Sequence, residues 1–509
     1  MKKFKFLAFV AVLMMAAACS EPLDEAAEVS PPMNEGAEDV ADNTAPDDGP
    51  IVLGDKLPNP YSMENMRKAI AELQARGLSK SALTTDIKPT HYYMRFKPKN
   101  VDEVDLVEAD TTVFYYSFPL DREIVGGSTN YRDPELPDSV PSYMYCTVPV
   151  EHVLPDVEHE ILEELYILED VNVYDDVNDE DVETSLSKHT KASYWPELKN
   201  IALEMVGMEP ETPSLSKSWR PHGRITFYDN SLGRIIPLEG VPVHTVRAFV
   251  GHQCCTDANG EFSMPKVNCK HTFFIKWKRA DFTIRRSSGT DAAEQIIGYD
   301  IKKKDVNYCI NTSAGDDWGI ASIFRAAHRY YYGNIDGLSR PGNNNLTIRA
   351  CGYNSDLNGC AGRHFISSDV HIYNLRRESK ETYGTTIHEL THIAHRYSVC
   401  ATNGKFKDTS DDVIESWAVG VQNYLTATVY SGYERANGYN KTYSRVVTDI
   451  LNKEQRNDES SKASYTIVEL EKTLRHARNW NEWKEYVKSY YPRNNEKYID
   501  AVFDYWASR

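Results

Sequence analysis

Apolar residues recur along this chain at two periods, and the change from one to the other divides it into parts. Between Tyr61 and Tyr194 the periods mix: Ser62 to Arg76 has helical spacing, while Thr90–Pro98 and Thr111–Pro119 alternate as strands do. A further amphipathic segment, Pro155–Leu168, puts Ile161, Leu165 and Leu168 on one stripe with acids elsewhere, and an acidic loop follows to about Glu183. From 222 to 287 the pattern becomes short alternating runs separated by turns: Gly223–Asp229, then Pro237–Val246, then Thr256–Phe262. After that the helical period dominates. Asp316–Tyr332 carries Ile320, Phe324, Ala327 and Tyr331 on one face, and alternating runs follow at Leu346–Ala350 and from near Phe365 to Leu375. A helix is then expected from about Lys380 to Tyr397, with Ile387, Leu390, Ala394 and Tyr397 as its buried stripe, and another over Asp411–Thr428 on Ile414, Trp417, Val421 and Leu425. Helical periodicity continues to the C-terminus through Val446–Leu451, Ile467–Leu474 and Ile499–Trp506, where Trp480 and Trp483 read as core.

These patterns imply a multidomain α+β protein: an N-terminal α+β domain over 61–200, a small β-sandwich over 220–300 and a C-terminal domain over 305–509 that ends in a helical subdomain. No recognisable chemistry lies in 61–200, so partner binding or positioning is its default role, with His152 and His159 as surface residues.

Candidate chemistry concentrates in the helix at 380–397. His388-Glu389-Leu390-Thr391-His392 is an H-E-x-x-H arrangement, in which two imidazoles one turn apart on one face can reach one metal ion while the carboxylate stands beside them. A catalytic zinc site keeps three protein ligands and one open position, so a third is needed. His395 shares the ligand face but lies too far along an unbroken helix, which leaves it a supporting or structural role outside the ligand set. Glu415 sits near the start of the next amphipathic helix, and the turn region around Thr402–Gly404 lets that helix fold back on the first. Asp412 and Glu415 also have capping-box-like spacing, so Glu415 is either the third ligand or a helix cap.

Composition limits the partners. The formal charge is −18, and setting aside the ten acids of residues 20–50 and the three lysines near the N-terminus leaves about −11 for the remainder. Such a body lacks the clustered cations that phosphate binding requires, which argues against nucleic acid. Residues 1–18 pair Lys2, Lys3 and Lys5 with the apolar run Phe6–Ala18, an export signal too short to span a bilayer. Residues 19–60 read as an acidic disordered tether, with five prolines and no aromatic residue between 20 and 50. Nine cysteines become eight if Cys19 is modified, in a compartment that permits disulfides. Cys351 with Cys360, and Cys269 with Cys254 or Cys255, are the pairings that short loops allow.

Several stretches resemble known families. Ala16-Ala17-Ala18-Cys19 resembles a bacterial lipobox, and the acids after it resemble the surface-export signal of Bacteroidetes lipoproteins. That likeness implies lipidation at Cys19, a membrane contact made through the lipid anchor alone, and an outer-membrane or cell-surface location; ordinary signal cleavage, with a periplasmic or secreted product, is the alternative. Pro237–Val243 and Thr256–Phe262 resemble the strand and hairpin of the carboxypeptidase regulatory-like, transthyretin-like domain, an accessory module. The order of helix, strands and H-E-x-x-H helix resembles zincin peptidases, in which the last strand, here Asp369–Tyr373, pairs with an extended substrate. The metzincin pattern is absent, since His395 and Ser398 stand where Gly and His would be needed. Glu415 on the following helix resembles the third ligand of gluzincins, although Val419 occupies the position where thermolysin-like members carry Asp. Enhancin-like, mucin-directed peptidases are similar in this interval.

The gluzincin resemblance implies Zn2+ held by His388, His392 and Glu415, with Glu389 as general base, acting on extracellular proteins or peptides, glycoproteins among them. Tyr424, Tyr430, Tyr433 and His476 are its candidate oxyanion partners. The competing expectation is a catalytically inactive surface lipoprotein that binds a glycan or a host protein.

Overall fold

The computed structural model describes residues 49–509 except 78–82, 138, 176–192, 209, 211–218, 266, 268, 269, 288, 343, 344, 354–358, 362–368, 401, 402, 452–464, 494 and 495. Cys19, the export segment, nearly all of the acidic tether, Cys269 and the side chain of Cys360 lie outside the described residues. Eleven α-helices and five sheets among the described residues make a mixed α+β architecture. None of these helices is long and apolar enough to cross a membrane.

The N-terminal part runs β1 (Val52–Lys56), α1 (Met63–Ala75), β2 (His91–Phe96), α2 (Val101–Glu108), β3 (Arg122–Gly126), β4 (Met144–Pro149), β5 (His159–Leu165), β6 (Asn172–Asp175) and α3 (Trp195–Met205). Ser62 caps α1 and Asn100 caps α2, each accepting a backbone N–H of the first turn. The stripe over 155–168 becomes a strand rather than a helical face: β5 pairs antiparallel with β2, burying Leu165 and leaving Ile161 half exposed. Its acids then face cations across the ladder, with Glu160 between Arg95 and Lys97. Thr111–Pro119 forms no regular strand. It makes one bridge, with Tyr116 and Tyr145 exchanging both backbone bonds at 2.9 Å, because Val113, Phe114, Tyr115, Tyr116 and Phe118 are buried on both sides of the chain.

The middle part contributes β7 (His222–Asp229), β8 (Arg234–Pro237), β9 (Pro242–Arg247), β10 (Val250–Cys255), β11 (Glu261–Ser263), β12 (His271–Lys276), β13 (Phe282–Arg286), β14 (Glu294–Ile301) and β15 (Val306–Ile310). Two sheets, β14-β12-β9-β10-β6 and β11-β7-β15 with β8 beside β7, share one apolar core through Val243, Phe273 and Ile275 on one side and Ile225, Phe227 and Val306 on the other. Two strands cross between parts. β6 of the N-terminal part pairs parallel with β10, and β13, which lies inside the 220–300 stretch, pairs parallel with β16 of the C-terminal part.

That C-terminal part consists of α4 (Asp316–Tyr332), β16 (Leu346–Ala350), β17 (Gly359–Ala361), β18 (Val370–Ile372), α5 (Ser379–Ala394), α6 (Asn403–Lys407), α7 (Asp411–Ala427), α8 (Val446–Leu451), α9 (Ile467–Leu474), α10 (Trp480–Tyr490) and α11 (Glu496–Ala507). Its sheet has the order β13-β16-β18-β17, parallel except for β17. β18 therefore has a neighbour on each side, and the strand at the sheet's edge is β17 rather than the expected Asp369–Tyr373.

The start of α5 is held by the turn that follows β7. Ser379 N–H donates to Asn230 Oδ1 at 2.8 Å and Lys380 N–H to Ser231 Oγ at 3.1 Å, so two otherwise orphaned helix donors are satisfied from another part of the chain. Fully buried Asp229 sits at the centre of this joint. Its Oδ1 accepts from Ser379 Oγ and from the backbone of Ser231 and Leu232, and its Oδ2 accepts from Arg325 Nη1 and Tyr430 Oη, each at 2.7 Å. At its other end α5 passes at His395 into a π-helical turn, His395–Val399, instead of running on unbroken to Tyr397.

Candidate metal centre

Two helices supply the site. His388 and His392 lie one turn apart on α5, and Glu415 lies on the second turn of α7, which packs alongside. The Glu415 carboxylate turns away from its own helix start: Oε2 lies 3.1 Å from His388 Nε2 and 3.4 Å from His392 Nε2, and the two imidazole nitrogens are 3.2 Å apart. Of the two readings left open for Glu415, ligand and cap, this orientation matches the ligand.

The donor set can be tested for zinc. A tetrahedral ion with bonds near 2.0–2.1 Å separates its ligand atoms by about 3.3 Å, and the three edges here are 3.1, 3.2 and 3.4 Å. The hydrogen bonding points the same way. His388 Nδ1 donates to Gln422 Oε1 at 3.2 Å, so in the neutral ring Nε2 bears a lone pair aimed at a carboxylate and at another imidazole nitrogen. Lone pairs converging at that range repel one another unless a cation or a proton lies between them. Burial by itself would raise the Glu415 pKa, but the charge on His392 and the close approach of both imidazoles outweigh it and hold the carboxyl well below the usual range. Burial, reinforced by His392, lowers His388 despite Glu415. The residues fit a divalent metal of the zinc type.

Behind the ligands, Gln422 Nε2 donates to Tyr433 Oη at 2.9 Å. The relay Tyr433–Gln422–His388 thus orients the first imidazole. Gly384, one turn before His388, makes room for it, since a Cβ there would fall 2.3 Å from Tyr433 Oη. Glu389 is buried beside the ligands and faces the edge strand: a Cβ on Gly359 of β17 would come within 2.7 Å of Glu389 Oε1. His395 is fully buried, packs edge-on against Phe406, and is pushed down to about 3 by burial first and then by the charges of His392 and Arg478. Neither of its nitrogens finds a hydrogen-bond partner among the described residues, so it is a neutral wall of the helix pair.

Of the expected oxyanion partners, none faces the ligands directly. Tyr424 bonds Asp336, Tyr430 belongs to the Asp229 joint, Tyr433 supports Gln422, and His476 packs between Tyr486 and Tyr490. The tyrosine brought to the site is Tyr443, on the segment leading into α8. Its ring stacks over His388 at 6.5 Å and 28°, and burial together with the charges of Glu415 and Glu389 raises its pKa. Tyr443 and Gln422 carry no local signal in the sequence; only the pairing of α7 with α5 and the return of the 428–445 segment bring them here.

No family model matches this chain, and neither the curated proteins nor the solved structures contain a match to it.

Proposed function

We infer that this protein is an exported zinc-dependent peptidase, lipid-anchored through Cys19, that hydrolyses peptide bonds in extracellular proteins or peptides. The observation that carries this reading is the triangle of His388, His392 and Glu415 with edges of 3.1–3.4 Å, together with a buried carboxylate, Glu389, next in sequence to a ligand. His388, His392 and Glu415 would hold a zinc ion there, which would supply Lewis acidity for a scissile carbonyl and for a bound water. Glu389 takes the proton from the attacking water and returns it to the leaving amine. The Tyr443 hydroxyl is the candidate donor to the oxygen that gains charge. The edge of β17, which pairs with no further strand among the described residues and lies within contact distance of Glu389, offers backbone groups to an extended peptide.

The test is metal analysis and proteolysis of the purified full chain beside two variants. About one zinc per chain is expected, retained in Glu389→Gln and weakened in Glu415→Ala, with proteolysis lost in both. A wild-type protein that takes up no zinc at micromolar concentration would end this reading.

One observation favours a second reading, a non-enzymatic surface-binding lipoprotein that recognises a glycan or host protein. A cavity of about 650 Å3 lies where the N-terminal and middle parts meet, walled by Phe114, Tyr174, His244, Gln253 and Lys278. Glycan binding that persists in Glu389→Gln and Glu415→Ala, in a chain without proteolysis, would favour it.

A further inference from the structure

Arg435 follows Tyr433 on the segment that returns over the metal centre. Its guanidinium lies 4.6 Å from the ring centroid of Tyr443, and the same ring packs against His388 at 6.5 Å, so the phenol contacts both the cation and the first imidazole. Burial lowers the Arg435 pKa while Tyr443 and, more weakly, Glu415 oppose it, and the cation in turn contributes to lowering His388, so it lies within electrostatic reach of the site. Yet its Nη1 is fully buried and has no hydrogen-bond partner among the described residues, while the side chain as a whole is only partly buried. The nearby acids are engaged elsewhere: Glu434 pairs with Arg445 at 2.6 Å, and Glu415 turns to the histidines.

A guanidinium nitrogen buried with its bonds unmade is costly, and what offsets that cost is an anion. The fork of an arginine matches a carboxylate, which can accept two parallel bonds from it. We propose that Arg435 is the specificity-determining residue of this site and anchors a carboxylate of the substrate near the scissile bond, either a free C-terminus or an Asp or Glu side chain. The inference rests on the peptidase reading for its substrate, while the anchor itself can be detected without turnover. Tyr443, whose ring carries the guanidinium, positions it.

The test uses two pairs of otherwise identical peptides: Glu against Gln flanking the cleaved bond, and a free C-terminus against its amide. Binding to the zinc-loaded Glu389→Gln chain is measured by calorimetry, and kcat/KM is measured on the zinc-loaded wild type. In at least one pair the acid is expected to be favoured by about 10- to 100-fold, the worth of a charge-assisted hydrogen bond, and the pair that shows it identifies the source of the carboxylate. Arg435→Gln brings the acid-to-amide ratio near one, Arg435→Lys keeps part of it, and Tyr443→Phe, which retains the ring, keeps most of it. Zinc content and the thermal midpoint of each variant establish that the site is still assembled. The proposal is overturned if neither pair shows a preference, if the preference survives Arg435→Gln, or if acid and amide fall equally in that variant, which would make the cation a partner of the oxyanion instead. A carboxylate preference in binding with no cleavage by wild type would leave the anchor standing and remove the peptidase reading.

Discussion

Replacing Gly384 by Ala tests whether the metal centre depends on the relay behind it. The substitution is chemically small and, in a helix, favourable by about 1 kcal/mol. Here, however, the new Cβ would lie 2.3 Å from Tyr433 Oη, 2.7 Å from its Cζ and 3.2 Å from Gln422 Nε2. Ordinary carbon contacts begin near 3.5 Å, so the tyrosine must retreat by about 1 Å or more. That movement breaks the 2.9 Å bond from Gln422 to Tyr433, and leaving buried groups unpaired costs about 1–3 kcal/mol. Gln422 in turn loses the support that holds its Oε1 on His388 Nδ1. Loss of such an outer partner lowers metal affinity about 10- to 100-fold. The assay is competition for zinc against a chelator of known affinity, with urea unfolding of the zinc-free chain to separate stability from binding. Gln422→Leu should lose a comparable share of affinity, and the double variant should lose little more than either single one, since both act through the same bond. Zinc affinity equal to wild type in Gly384→Ala would refute the relay.

Three further outcomes follow from other parts of the molecule. Asp229→Ala strips acceptors from Arg325, Tyr430 and Ser379 at once, and urea unfolding should show a loss of about 3–5 kcal/mol, the cost of stranding a buried charge; a loss below about 1 kcal/mol would mean that α5 does not need this joint. Asp291, buried first of all and then close to Glu108 and Glu294, has its pKa raised to about 7. An acid raised on folding takes up a proton as the chain folds, so stability declines as pH rises from the ordinary aspartate value of about 4 towards 7. Asp291→Asn removes that slope and should be the more stable protein at pH 8, by up to about 4 kcal/mol, with the two curves meeting at low pH; parallel curves across that range would contradict the assignment. Gly420→Ala on α7 would set a Cβ 2.4–2.7 Å from three carbons of Val447, an overpacking cost of about 1–3 kcal/mol that the companion Val447→Ala should relieve in a double-variant cycle.

The parts of this protein that could be read along the chain are those whose geometry is local. His388 and His392 are ligand partners because four residues make one helical turn, and Glu389 stands beside them for the same reason. The helices at 316–332 and 411–427 follow from their apolar stripes, and Glu415 was within reach because a short connection joins the motif helix to the one that carries it. Where a stripe had two explanations, local pattern misled: Ile161, Leu165 and Leu168 fit a helical face, but the ladder with β2 took the backbone and only Leu165 of the strand's apolar residues was fully buried. Aromatic density at 111–119 likewise looked like strand alternation, whereas burial on both sides leaves a single bridge to Tyr145.

The sequence by itself determined the helix periods, the spacing of the two histidines and the carboxylate between them, because each depends on contacts within one or two turns. Only the tertiary structure decided which side chains complete the site. Glu415 is turned from a helix start towards His388, Gln422 and Tyr433 arrive behind the imidazole, and Tyr443, with Arg435 against its ring, packs on it. It also decided that β17 and not β18 ends the sheet among the described residues, that β6 and β13 are shared between parts, and that a buried aspartate from the middle part holds the start of the motif helix. The reason is physical. Hydrogen-bond donors and strand edges left unsatisfied locally must find partners wherever packing brings them, and no local periodicity records which distant residue that will be.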